Sequence, residues 1–176
     1  AAGVLSLDGG TALYQQALTE RMNPASTTKV MTAIVALKYG NLSDLVTVPE
    51  EAVITESGSS MAGVVPGDQM SLEDLLYADD PLGQRCANAI AVHVGGSIEG
   101  FVSMMNQEAA RLGATGTHFV NANGLTDPDH YTTAYDLYLM FHEHCPTIRS
   151  GPSSGPTIIR QSIWAAMEAR KRPPGP

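Results

Sequence analysis

Apolar residues recur at helical spacing in several parts of the chain. Five apolar residues between positions 30 and 37 repeat with the period of an α-helix. The Asn23-Pro24 pair before them is typical of a helix start, and Gly40 after them is typical of a helix end. Similar patterns predict further helices over 72–78, 87–94, 97–113 and 134–142.

Short apolar segments separated by turn residues predict β-strands. One pair of strands is expected at 3–7 and 12–15, joined through Asp8-Gly9-Gly10, and another at 45–48 and 52–55, around Pro49. From position 145 onward proline, glycine, serine and arginine replace the periodic pattern. We therefore expect an ordered domain over 1–144 and a divergent, poorly ordered tail over 145–176, in which only 158–168 could form a weak helix.

Composition and charge narrow the class of protein. The chain has 176 residues, 43% of them hydrophobic, and a formal net charge of −8. An acidic chain of this kind argues against binding to nucleic-acid phosphates. No apolar run approaches the roughly 18 residues that a transmembrane helix needs, and we expect no transmembrane segment. The first residues lack the basic and apolar regions of a signal peptide, so we expect none in this chain.

The start of the first long helix carries a possible nucleophile. Ser26 and Lys29 are three residues apart, which places both side chains on one face of a helix. The positive end of the helix dipole and burial both favour the neutral form of the lysine, and a neutral amine beside a hydroxyl is a general base beside a nucleophile. Backbone N–H groups at the same helix start could stabilise an oxyanion. The spacing alone is weak, because a chain of this length has about an even chance of containing it.

The residues around this pair make the pattern far more specific. The stretch from Asn23 to Ala33, Asn-Pro-Ala-Ser-Thr-Thr-Lys-Val-Met-Thr-Ala, closely resembles the nucleophile motif of the D-alanyl-D-alanine carboxypeptidases, the low-molecular-mass penicillin-binding proteins. The resemblance covers about residues 1–78 and 87–143. Among the matching stretches are 91–97 (Ala-Val-His-Val-Gly-Gly-Ser), 121–125 (Asn-Ala-Asn-Gly-Leu) and 130–136 (His-Tyr-Thr-Thr-Ala-Tyr-Asp).

The resemblance implies a fold and a reaction. The fold is α+β: a partial penicillin-binding, serine β-lactamase-like transpeptidase fold, with an antiparallel sheet, flanking helices and a helical subdomain over about 71–143. The reaction is removal of the terminal D-alanine from peptidoglycan stem peptides ending in D-Ala-D-Ala, through an acyl-enzyme on Ser26 with Lys29 as proton acceptor. β-Lactams would acylate Ser26 covalently. The resemblance implies an extracytoplasmic location and no metal or organic cofactor.

The sequence departs from the family at two further motifs. The family has a Ser-x-Asn motif where this chain has Leu82 and Gln84, and no Lys-Thr-Gly follows position 143. Codons for the family's Ser-Gly-Asn-Asp-Ala, read out of register, encode the Gly-Gln-Arg-Cys found at 83–86. This indicates two closely spaced, compensating frame disruptions in the coding sequence, or sequencing errors with the same effect, a hypothesis that resequencing the gene tests. The alternative to an enzyme is an inactive, truncated homologue that at most binds stem peptide or β-lactam.

Histidines offer a second class of chemistry. His142 and His144 could bind a metal, as in a metal hydrolase, but side chains two residues apart on a helix point in different directions and no third ligand is suggested. A solvated helix end is the favoured interpretation. His118 and His130 lie in loops of the family-like region, where structural roles are expected.

Overall fold

A computed structural model of the protein describes residues 1–6, 11–52, 64–77 and 83–150, with side chains described as far as His142. Its strands lie in the N-terminal half of the chain and four of its five α-helices follow the last strand, as expected for an α+β fold. The strands are β1 (Ala2–Leu5), β2 (Ala12–Gln16), β3 (Leu45–Thr47) and β4 (Gln69–Ser71). The helices are α1 (Thr28–Tyr39), α2 (Leu72–Tyr77), α3 (Gln84–Gly95), α4 (Ile98–Arg111) and α5 (Ala134–Ser150).

The strands form two antiparallel pairs. β1 pairs with β2, with Ala2 opposite Gln16, and β3 pairs with β4, with Leu45 opposite Ser71. The pattern at 52–55 predicted a strand, but Ala52 belongs to a 3₁₀ turn, Glu50–Ala52, so the prediction is wrong at that residue. Positions 53–55 lie outside the described residues. β4, which the sequence did not predict, is the actual partner of β3.

Helix α1 forms the centre of the hydrophobic core. Its residues from Thr28 to Ala36 are all buried, so the helix is surrounded by protein on every side rather than lying on the surface. It contacts both α3 and α4. Gly40 ends α1 as expected, but with φ −90° rather than in the left-handed region. A side chain there would collide with Leu72, so glycine serves close packing at this position.

Helices α3 and α4 pack against each other at a tight corner. Gly96, with φ +74°, ends α3, and the Ser97 hydroxyl caps α4 by accepting a hydrogen bond from the N–H of Gly100. Helix α3 begins at Gln84, earlier than position 87 where the apolar pattern begins. Residues 78–82, between α2 and α3, lie outside the described residues.

One buried carboxylate links α4 to the central helix. The Glu108 side chain is buried and accepts hydrogen bonds from Lys38 Nζ at 2.7 Å and from Arg111 at 2.8 and 3.0 Å. Burial opposes the charged form, but the bonds from Arg111 and Lys38 together outweigh it and hold the pKa of this carboxyl below its usual value. The Lys38–Glu108 ion pair therefore joins the C-terminal half of α1 to α4 by a charge-assisted hydrogen bond.

Helix α5 is longer than the sequence pattern indicated. It was expected to end at His142, but its backbone is helical as far as Ser150, across the expected boundary at 144. The remainder of the expected tail, 151–176, lies outside the described residues. Within the parts of the chain that are described, no helix has the length and apolarity to cross a bilayer.

Candidate active site

The Ser26 turn departs from a simple helix start. Pro24 was expected to be the first helical residue, and this is wrong: a 3₁₀ turn, Ala25–Thr27, precedes α1. Ala25 has φ +48°, a left-handed conformation that costs free energy for any residue with a side chain. The Asn23 side chain supports the turn by accepting a hydrogen bond from the Ala25 N–H at 2.8 Å. Ser26 therefore stands on a strained turn, a common feature of functional sites.

The two residues singled out from the sequence differ in exposure. Ser26 is partly exposed, whereas Lys29 is only 5% exposed, on the first turn of α1. Cys86 on α3 is fully buried, and burial raises the pKa of its thiol while the positive charge of Lys29 acts in the opposite direction. The Lys29 side chain is thus buried within electrostatic reach of the first turns of α3, whereas Ser26 keeps part of its surface in contact with solvent.

A loop over 118–132 packs against the Ser26 turn. His130, buried within it, lies with its Nε2 2.7 Å from the Thr28 hydroxyl. Its Nδ1 accepts a hydrogen bond from the Val120 N–H at 3.0 Å, so the ring proton resides on Nε2 and is donated to Thr28. Burial lowers the pKa of His130 to about 4, which keeps the ring neutral near pH 7.

Further contacts join the same loop to α1, to the Ser26 turn and to α3. The Thr32 hydroxyl donates to the Ala122 carbonyl at 2.6 Å. Gly124, with φ +86°, lies so close to Ala25 that a Cβ there would approach the Ala25 oxygen to 2.2 Å. The neighbouring Asn123 amide donates to Asn88 of α3 at 3.0 Å, within the buried interior. The loop therefore contacts the nucleophile turn and α3 at once.

Most N–H groups of the turn already have acceptors. The N–H of Thr27 donates to the Pro24 carbonyl, and the N–H of Thr28 donates back to Ala25 and Ser26. The Ala25 N–H donates to the Asn23 side chain. Of the N–H groups in this turn, that of Ser26 is therefore the best suited to stabilise a developing oxyanion.

The position of the family's second motif is partly described. Leu82 lies outside the described residues, and Gln84 forms the first residue of α3, where its buried side-chain oxygen has no hydrogen-bond partner within the described part of the chain. A buried acceptor in this state is costly. The ring centroids of His142 and Tyr138 lie 5.4 Å apart, and the side chain of His144 lies outside the described part of the chain. Among the described residues no three His, Cys, Asp or Glu side chains cluster for a metal ion.

Sequence reasoning missed the residues that hold the turn in place. His130 was expected to be structural, and Thr28 and Gly124 were matched to the family without a role. Their contacts join positions about 100 residues apart, so no local pattern marks them. The one available signal was the stretch 121–125, in which Gly124 follows polar residues. A glycine in such a stretch is typical of a place where two backbone segments approach closely.

Comparisons with known proteins identify the family. The family model described as D-alanyl-D-alanine carboxypeptidase matches residues 1–149. D-alanyl-D-alanine carboxypeptidase DacF of Bacillus subtilis is 36% identical over 146 residues, covering 80% of this chain and 37% of its own length. DacC of Escherichia coli, with the same enzyme name, is 38% identical over 141 residues, covering 74% and 35%.

Solved structures agree with the sequence comparison. Penicillin binding protein 5 from Haemophilus influenzae superimposes with a TM-score of 0.76 at 29% identity, over 83% of this chain and 44% of that one. This confirms the expected partial penicillin-binding fold. The chain spans little more than a third of the two curated relatives above. On the family match and the shared fold, the chain belongs to the D-alanyl-D-alanine carboxypeptidase family.

Proposed function

We propose that the chain is a serine-type D-Ala-D-Ala carboxypeptidase acting on peptidoglycan stem peptides outside the cytoplasmic membrane. The observation that carries this proposal is the arrangement at the start of α1, where a partly exposed Ser26 on the strained Ala25–Thr27 turn is followed three residues later by a buried Lys29. Family membership and the names of the relatives support the substrate class. Serine chemistry of this kind requires no metal or organic cofactor.

The reaction is an acyl transfer in two steps. Lys29 Nζ, in its neutral form, takes the proton of Ser26 as Oγ attacks the carbonyl carbon of the penultimate D-alanine. The Ser26 N–H stabilises the oxyanion, and the peptide C–N bond breaks as the leaving D-alanine nitrogen receives this proton from Lys29. Water then hydrolyses the ester, returning the Ser26 hydroxyl and releasing the shortened peptide.

A specific observation favours a second candidate, an inactive homologue that at most binds stem peptide or β-lactam. Gln84, with its buried oxygen unsatisfied, and Leu82 occupy the positions of the family's Ser-x-Asn motif. Leucine cannot relay a proton. The Ser26–Lys29 pair would then acylate slowly, and turnover would be minimal.

Labelling with a fluorescent penicillin tests the proposal, since it requires only acylation. We expect the full chain to form a covalent adduct on Ser26, identified by peptide mass. S26A and K29M should both abolish it, because one removes the nucleophile and the other removes the base. S103A, which changes an exposed serine on α4, is the matched control and should label like the original chain.

The outcomes separate the candidates. Labelling together with release of D-alanine from a D-Ala-D-Ala peptide supports the carboxypeptidase. Labelling without release supports the binding homologue. Absence of labelling in a chain that unfolds cooperatively would refute the Ser26–Lys29 mechanism, and activity abolished by a chelator would instead favour the His142 and His144 metal hydrolase.

A further inference from the structure

We infer that His130 is a positioning residue for the Ser26 turn and acts through its hydrogen bond to the Thr28 hydroxyl. The inference deepens the proposed function and rests on it, because the geometry of this turn affects acylation only if Ser26 is the nucleophile. His130 itself does not contact the substrate in this proposal. It holds the turn on which the nucleophile and the base stand.

The direction of the hydrogen bond is determined by the other ring nitrogen. Nδ1 accepts from the Val120 N–H, and the single ring proton is therefore on Nε2, 2.7 Å from Thr28 Oγ1. His130 is 1% exposed and Thr28 is fully buried. Water does not compete for either group, and each would be left unsatisfied in the interior if the other were removed.

Thr28 stands at the junction that determines the placement of both reactive groups. It is the first residue of α1, its N–H donates to the carbonyls of Ala25 and Ser26, and Lys29 follows it directly. The Ala25 conformation opposes this turn, since φ +48° is unfavourable for alanine. An anchor from outside the turn therefore has to stabilise it, and the loop carrying His130 provides one.

Two substitutions at His130 separate its two hydrogen bonds. Glutamine places an amide N–H near the position of Nε2, so H130Q keeps a donor for Thr28 and loses the acceptor for Val120. Asparagine places a carbonyl oxygen near Nδ1, so H130N keeps the acceptor and loses the donor. Each variant gives up one buried hydrogen bond, and we expect similar decreases in global stability. Two variants test the same hydrogen bond from the threonine end: T28V removes the hydroxyl and T28S retains it.

Hydrogen–deuterium exchange of the full chain measures the turn without requiring activity. We expect amide exchange over 24–30 to rise at least tenfold in H130N and T28V and to stay near the original rate in H130Q and T28S. Exchange in α4 serves as the internal reference. The rate of labelling by fluorescent penicillin should fall about 10- to 100-fold in H130N and T28V, because a displacement of about 1 Å at a reacting group has an effect of that size.

The result that would overturn the inference is equal behaviour of the two His130 variants. If H130Q and H130N change exchange over 24–30 alike, or if neither changes it, His130 contributes only general stability. If the exchange pattern appears as expected but the original chain is never labelled, the positioning of the turn stands and the proposed function fails. The two failures are thus distinguishable.

Discussion

At the residue scale, the neutral state of His130 links folding to pH. Burial lowers the pKa of His130 to about 4. The charge of Asp127 raises this pKa, and that of His118 lowers it. The unfolded chain has an ordinary imidazole of pKa about 6.5 and therefore binds a proton between these values that the folded chain does not. The His130 contribution to stability is complete above pH 6.5 and is lost as the pH falls towards 4.

We therefore predict that the free energy of unfolding falls on acidification from pH 6.5 to 4, with a His130 contribution on the order of 3 kcal/mol. Urea unfolding at several pH values measures it. H130Q, which has no group titrating there, should show a shallower pH dependence. An unchanged slope in H130Q would contradict the prediction.

Gly124 is a residue at which conformation and space both exclude a side chain. Its φ is +86° and a Cβ would approach the Ala25 oxygen to 2.2 Å. We predict that G124A slows penicillin labelling by at least tenfold, because the added methyl group displaces the Ser26 turn. A stopped-flow or timed gel assay of labelling measures the effect.

The control for G124A is G113A. Gly113 has φ +77°, but no atom lies within 4 Å of the place that an alanine methyl group would take, so alanine there brings only conformational strain. G113A should lose about 1 kcal/mol of stability and label normally, whereas G124A should lose more stability, because of the added backbone clash, and should label at least tenfold more slowly. Equal labelling by the two variants would show that the close approach to Ala25 is unimportant.

At the element scale, the sequence predicted every helix of the described residues but not all of their ends. The apolar period of α1 was clear because the helix is long and its flanking residues are strong signals. The 3₁₀ turn before it was not predictable, since contacts from Gly124 and His130 stabilise it from a distant loop.

β4 was missed because Gln69–Ser71 is short and lacks the alternation of a half-buried strand. Helix α5 exceeded its predicted end because proline at 146 indicated a stop that the backbone does not show.

The contact between α1 and α4 through Glu108 gives a prediction at this scale. We expect E108Q to lower the free energy of unfolding by about 1–3 kcal/mol, because it weakens charge-assisted hydrogen bonds to a buried acceptor. Thermal or urea unfolding at pH 7 measures this. E99Q, at an exposed acid on the same helix, should change stability far less. Since the pKa of Glu108 is lowered in the fold, its contribution declines as the pH falls into the acidic range.

At the scale of the whole molecule, the β1–β2 hairpin is poorly covered. Leu13 is 72% exposed and Val4 53% exposed, and every residue of β2 is exposed. A cavity of about 360 Å³ lies between this hairpin, the Asn23-Pro24 segment and α5. A two-stranded hairpin has little stability of its own in water. Helix α1 is therefore well buried, whereas no layer of the described residues covers the hairpin.

We predict a melting temperature below about 60 °C and strong binding of a hydrophobic dye in the folded state. L13T should reduce dye binding with little change in melting temperature, because the leucine contributes little burial. L75A, a core substitution on α2, is the contrasting variant and should lower stability by about 2–5 kcal/mol. A cooperative transition well above 60 °C would show that the hairpin region is better stabilised than its exposure suggests.

The bond between Thr28 and His130 joins positions separated by 102 residues. During synthesis, α1 leaves the ribosome well before the loop that carries His130 has been translated. If that loop positions the turn, the serine becomes reactive only after most of the domain has been made and has closed around it. A penicillin pulse applied to growing chains of increasing length would then report the moment at which folding is finished, rather than the moment at which the nucleophile is made.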